Sequence, residues 1–134
     1  MESMKMITGS CLCGKVTYAI TEKIGEIYHC HCKTCRKAHG AAFSSVASVA
    51  DESITIQGKG SLIFFESSKG KKRYFCSNCG TQVYAKNEGA EHIILRLGSL
   101  DSEPNATEKS HIWVSQKAHW YTINSSLPEH TEHE

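Results

Sequence analysis

Apolar and polar residues alternate with a period of two along much of the chain. The run Lys15-Val16-Thr17-Tyr18-Ala19-Ile20-Thr21 puts Val16, Tyr18 and Ile20 on one face, and Ser53-Ile54-Thr55-Ile56-Gln57 does the same with Ile54 and Ile56. Shorter β-rich runs follow at residues 61–65, 73–76, 81–85, 92–97, 111–114 and 120–123. Turn signals separate them at Gly58-Lys59-Gly60, Ser67-Ser68-Lys69-Gly70, Asn87-Glu88-Gly89 and Ser102-Glu103-Pro104-Asn105. A helical turn or two is expected around residues 34–39, and no longer helical period occurs. The pattern predicts one mainly β domain of short antiparallel strands, with at most one or two short helical turns, over residues 1–124. Residues 125–134 are polar and aperiodic and are expected to form a frayed tail.

Composition narrows the function. Lys and Arg number 15 against 14 Asp and Glu, a net charge of +1, which leaves no field strong enough to draw in nucleic acid or an anionic membrane. No stretch approaches the ~20 apolar residues of a membrane helix. The opening MESMKMITGS lacks the apolar run of an export signal, so a cytoplasmic location with reduced thiols is expected. The unusual number is the seven cysteines. An odd count cannot form a closed disulfide framework.

Spacing sorts these cysteines into three groups: Cys11-Leu12-Cys13, Cys30-His31-Cys32-Lys33-Thr34-Cys35, and Cys76-Ser77-Asn78-Cys79. Zinc–sulfur bonds are about 2.3 Å long, so thiolates on one tetrahedral ion lie within about 4 Å of each other. A C-x-x-C turn achieves this by wrapping the ion, and a C-x-C pair achieves it because residues i and i+2 of an extended segment share a face. Gly14 and Gly80 directly follow the first and last groups and allow the positive φ of such turns. Cys11, Cys13, Cys76 and Cys79 thus read as a closed four-thiolate structural site. Cys30, Cys32 and Cys35 read as three ligands with a fourth position open, the arrangement of a catalytic zinc. Competing readings are buried, unliganded cysteines for the first set, and for the second a structural site completed by His29, His31 or His39. His29 and His31 alternate with the ligands in an extended segment and are expected to face away from the metal.

Five stretches, "GSCLCGKVTY", "YHCHCKTCRKAHGAAF", "RYFCSNCGTQVY", "LRLGSLD" and "HIWVSQKAHWYTI", resemble in sequence and order the glutathione-dependent formaldehyde-activating enzymes, the CENP-V/GFA domain with its Mss4-like zinc-stabilised β fold. The resemblance spans residues 9 to about 123. It implies two zinc ions per chain: a structural one on Cys11, Cys13, Cys76 and Cys79, and a catalytic one on Cys30, Cys32 and Cys35. It also implies a carbon–sulfur lyase that joins a small thiol, glutathione, to formaldehyde or a related aldehyde.

Glutathione carries two carboxylates, so cations are expected near the open site. Arg36, Lys37 and His39 follow the third ligand and are the substrate-binding candidates. The cluster Lys69, Lys71, Lys72 and Arg73 reads first as a solvated hairpin turn and second as a balance to the negative thiolates. Phe43, Trp113, Trp120 and Tyr121 are expected in the core. The alternative to an enzyme is a non-catalytic interaction module of the Mss4-like fold, against which the open coordination position argues. A methionine sulfoxide reductase of related fold would need a reactive cysteine beyond the metal ligands, and no cysteine follows Cys79.

Overall fold

The computed structural model describes residues 6–133; residues 1–5 and 134, at the ends of the expected domain and tail, lie outside the described residues. The strands are β1 (Ile7–Ser10), β2 (Thr17–Ile20), β3 (Ile27–Cys30), β4 (Ser44–Ala50), β5 (Ile54–Gln57), β6 (Leu62–Ser68), β7 (Lys71–Cys76), β8 (Gln82–Asn87), β9 (His92–Arg96) and β10 (Glu108–Ile112), with a single α-helix, α1 (Lys33–His39), and four short 3-10 turns among the described residues. They build a three-stranded sheet in the order β1-β2-β5 and a seven-stranded sheet in the order β10-β3-β4-β9-β8-β7-β6. The fold is mainly β, as the alternation requires. All pairs are antiparallel except β10 with β3, which run parallel.

The core forms where the apolar faces of the two sheets meet. Ile7, Tyr18 and Ile20 from the small sheet pack with Ala47, Val49, Val83, Ile93 and Leu95 from the large one, and Cys11 and Cys76 belong to the same cluster. A second, smaller cluster holds Cys30, Cys35 and Ile112, flanked by Tyr28, Cys32 and Trp113. Each thiol group is therefore rooted in packed structure. No helix among the described residues is long and apolar enough to cross a membrane.

Three strands escape the sequence pattern. β1, β3 and β4 are short or rich in serine, histidine and cysteine, so their inward residues do not register as apolar; β4 buries Ser44 beside Val46, Ala47 and Val49. Residues 120–123, expected as a strand, form none, and Trp120, expected in the core, is 73% exposed. The segment expected to fray also behaves differently. His111 and Trp113 donate backbone N–H bonds to the carbonyls of Pro128 and Glu132, and His130 N–H donates back to His111. These bonds satisfy an edge strand that would otherwise present unpaired backbone groups.

Candidate metal centres

The first centre joins two tight turns far apart in sequence. After β1 the chain turns at residues 11–14, with Gly14 N–H bonded to the Cys11 carbonyl and Gly14 at φ +81°. The β7–β8 hairpin repeats the device: Gly80 N–H bonds the Cys76 carbonyl, and Gly80 is also at φ +81°. Cys11 Sγ lies 3.6 Å from Cys13 Sγ, and Cys13 Sγ 3.7 Å from Cys76 Sγ. The four sulfurs of Cys11, Cys13, Cys76 and Cys79 all fall within 4.8 Å of one another. A tetrahedron of bonds near 2.3 Å has edges of about 3.8 Å, so the donor set fits a divalent soft cation such as zinc.

Neutral donors serve these sulfurs. Val16 N–H points at Cys11 Sγ at 3.3 Å, and the Thr81 hydroxyl lies 3.3 Å from Cys79 Sγ while accepting from Leu12 N–H. The Thr81 hydroxyl and backbone lower the Cys79 thiol to about 5, and the Asn78 side chain, then the Lys15 backbone, lower Cys13. Lowered thiols are ready metal ligands.

The second centre comes from one stretch of chain. β3 ends on Cys30, and Cys32 is the N-cap of α1, where its sulfur accepts from Cys35 N–H at 3.3 Å. The first turn of the helix returns Cys35 to the pair, so Cys30 Sγ and Cys32 Sγ are 3.5 Å apart and all three sulfurs lie within 4.8 Å. Hydrogen bonds from Cys30 and Cys32 hold Cys35 far below the ordinary thiol range, and hydrogen bonds with Cys32, then Cys35, push Cys30 up. This group also fits a soft divalent ion, and it supplies three ligands to a tetrahedron.

The surroundings differ from those of the first centre. Arg73, on β7, is 5% exposed; its Nε donates to Ser67 Oγ at 2.8 Å, and Nη1 and Nη2 point at Cys35 Sγ at 3.8 and 3.9 Å. Arg96, the last residue of β9, is 3% exposed. Arg73 is thus no part of a solvated turn: the β6–β7 pairing carries it inward, Lys71 and Lys72 are half-buried on β7, and Lys69, exposed between the two strands, keeps the expected character.

A cavity of about 580 Å³ opens beside this centre, lined by Lys33, Lys37, Phe65, Arg73 and Phe75 among others. Of the expected substrate-binding residues, Lys37 lines this cavity. Arg36 is half-buried with Nε unpartnered. His39 instead lines a second cavity of about 350 Å³ with Ser44, Gln82 and Arg96, and burial, then the Arg96 charge, lower its pKa to about 4. His31 is fully buried and bonds His111 Nδ1 through Nε2 at 2.8 Å, while His29 bonds Ser45 and Glu108. Neither histidine joins a thiol group. Sequence reasoning missed Arg96, Phe65 and Phe75, because strand pairing alone brings them to this side of the sheet.

Comparison with known proteins agrees with this architecture. The family model for glutathione-dependent formaldehyde-activating enzyme matches residues 6–116. A curated Podospora anserina protein named "Putative glutathione-dependent formaldehyde-activating enzyme" is 31% identical over 104 residues, covering 75% of this chain and 48% of its own length. Proteins of the same name from Aspergillus flavus and Aspergillus oryzae are 33% identical over 81 residues, covering 58% of this chain and 42% of theirs. The chain spans about half the length of the curated relatives it matches. A crystal structure of a Rhodobacter sphaeroides protein superposes with a TM-score of 0.61 at 19% identity, over 73% of this chain and 91% of that one, which speaks to the fold alone. The chain belongs to the glutathione-dependent formaldehyde-activating enzyme family.

Proposed function

We propose that this member of the family is a zinc-dependent carbon–sulfur lyase that joins glutathione, or a related small thiol, to formaldehyde or a related aldehyde. The observation that carries the reading is the group of three mutually close thiols, Cys30, Cys32 and Cys35, beside a cavity lined by cations and aromatic rings. Cys11, Cys13, Cys76 and Cys79 would hold a structural ion, and Cys30, Cys32 and Cys35 a catalytic one. Bound zinc would lower the pKa of a substrate thiol and keep it as a nucleophilic thiolate at neutral pH.

The chain's own residues supply position and charge. Lys33 and Lys37, on the exposed side of α1, suit the carboxylates of glutathione, and Phe65 and Phe75 offer the apolar wall along which its backbone would lie. Arg73 lines the same cavity and faces Cys35, so it links substrate pocket and thiol group. Burial, then the Arg96 charge, keep His39 neutral at pH 7, so the reading gives it no role in holding the thiol proton. Holding thiol and aldehyde together then replaces a collision by a local addition.

The test is exchange NMR of glutathione with formaldehyde, with and without the protein. Acceleration that vanishes in Cys32→Ser, with the fold of that variant checked by circular dichroism, supports the lyase. No acceleration at any thiol concentration overturns it and leaves the interaction module.

A further inference from the structure

We propose that Arg73 and Arg96 are the counter-ions of the three-thiolate centre and that, together, they fit its fourth position to an anionic ligand rather than a neutral one. The proposal rests on the thiol–aldehyde reading only for the identity of that ligand. It adds the residues that select the ligand's charge.

Two guanidinium groups are buried in this small domain, and neither has a carboxylate within ion-pair distance among the described residues, where the ion pairs recorded involve His29, Lys86 and Lys109. Arginine does not lose its proton in a protein, so a buried one keeps its charge and costs stability unless an anion faces it. Arg73 aims both terminal nitrogens at one sulfur, Cys35 Sγ. Arg96 leaves Nε and Nη2 without a hydrogen-bond partner. Arg96 pairs with Val46 on β4, and Ser44, two residues along on the same face of β4, pairs with Cys30, so Arg96 lies on the sheet face that carries the thiol group. The thiol group is therefore the anion that Arg73 meets directly and that shares a sheet face with Arg96.

Charge counting gives the consequence. Three thiolates with one divalent ion carry minus one, and two guanidiniums bring the buried assembly to plus one. A neutral fourth ligand leaves that excess in place, whereas an anionic one closes the balance at zero. His39 does not alter the count because Arg96 and burial keep it neutral. Lys71 stands nearby but is only half-buried, so solvent screens its charge. At the other centre the Cys79 and Cys11 sulfurs are served by a hydroxyl and backbone N–H groups, which makes it the internal control.

The experiment uses the full chain loaded with cobalt, whose thiolate charge-transfer band reports occupancy, with metal affinity measured by chelator competition and 2-mercaptoethanol as the probe ligand. This probe has no carboxylate and so ignores Lys33 and Lys37. Arg73→Gln and Arg96→Gln are each expected to weaken retention of one of the two metals, and the affinity for 2-mercaptoethanol, by about tenfold, the size of a charged hydrogen bond. Arg73→Lys and Arg96→Lys, which restore the charge, should recover most of the loss. The second metal should stay in place throughout. Gln variants that fold and match wild type within about twofold in both measurements overturn the proposal. Arg73→Met and Arg96→Met stand in where a Gln variant fails to fold. On wild type alone, 2-mercaptoethanol should bind at least about tenfold tighter than the neutral thioether 2-(methylthio)ethanol, with release of one proton; equal binding of the two overturns the proposal. Wild type that accelerates no thiol–aldehyde exchange yet shows these losses overturns the lyase and keeps the arginine assignment. Turnover by wild type with Gln variants that bind metal and probe unchanged does the reverse.

Discussion

The two thiol groups are built from the same side chain in opposite surroundings. The four-sulfur group spans the fold, with Cys11 and Cys13 after β1 and Cys76 and Cys79 in the β7–β8 hairpin. Cys11 and Cys76 are part of the main core, and neutral donors surround the sulfurs. The three-sulfur group is local, rooted in the smaller cluster, and faces buried arginine and an open cavity. A ligand set that closes a long loop contributes to folding because it cross-links distant chain. One drawn from six consecutive residues cross-links almost nothing. Under the proposed function, position in the fold would separate a centre that holds the protein together from one free to exchange a ligand.

The largest test of this contrast is a ligand swap. Wild type is expected to hold about two zinc ions per chain by elemental analysis. Cys32→Ser should hold about one and keep its fold by circular dichroism, whereas Cys76→Ser should aggregate or unfold, because losing a ligand at the fully buried Cys76 releases both turns at once. If Cys32→Ser unfolds as readily as Cys76→Ser, the division into a holding and a working centre is wrong.

An alkaline titration gives the next, smaller effect and belongs to the four-sulfur half. Tyr18 on β2 lies in the same core cluster as Cys11 and Cys76, and burial raises its phenol to about 12, with the Ser99 hydroxyl bond partly opposing. Between pH 10 and 12 the unfolded chain has lost a proton that the folded chain keeps. Stability from this group is therefore full below pH 10 and falls as pH rises toward 12, by at most ~1.4 kcal/mol per pH unit. Urea midpoints at pH 9, 10 and 11 should drop in wild type and drop less in Tyr18→Phe. Tyr84, raised to about 12 by burial and Tyr74, supplies part of the remaining slope. Equal slopes in the two proteins would show that Tyr18 is not the titrating group.

Both thiol groups were legible in the chain because ligand geometry is short-range: C-x-C, C-x-x-C and the glycines at 14 and 80 carry it within a few residues. The period of two gave the mainly β fold. What the chain hid is what pairing register decides. Arg73 sits in a run of lysines that reads as a solvated turn, yet its register opposite Phe65 and Ala85 turns it inward to Cys35. Arg96 ends an apolar strand inside the stretch "LRLGSLD", which holds no cysteine or histidine to point toward the thiols. Residues 125–133 read as a tail because their bonds to β10 run through backbone groups, which polarity does not report.

The smallest effect sharpens the comparison most, because it isolates one neutral donor. The Thr81 hydroxyl lies 3.3 Å from Cys79 Sγ, lowers that thiol, and accepts from Leu12 N–H at 3.0 Å, so it joins the two turns at the four-sulfur centre. Thr81→Val keeps the shape and removes the hydroxyl. Leu12 is 88% exposed, so water replaces the lost bond to its N–H and little folding stability is at stake. Metal affinity of this centre, by chelator competition, should fall by about threefold, below the roughly tenfold expected for removing a charged donor from the other. The three-sulfur centre should not respond. A loss at Thr81→Val as large as that at Arg73→Gln, or one felt at the three-sulfur centre, would break the distinction between sulfurs steadied by neutral dipoles and sulfurs balanced by buried charge.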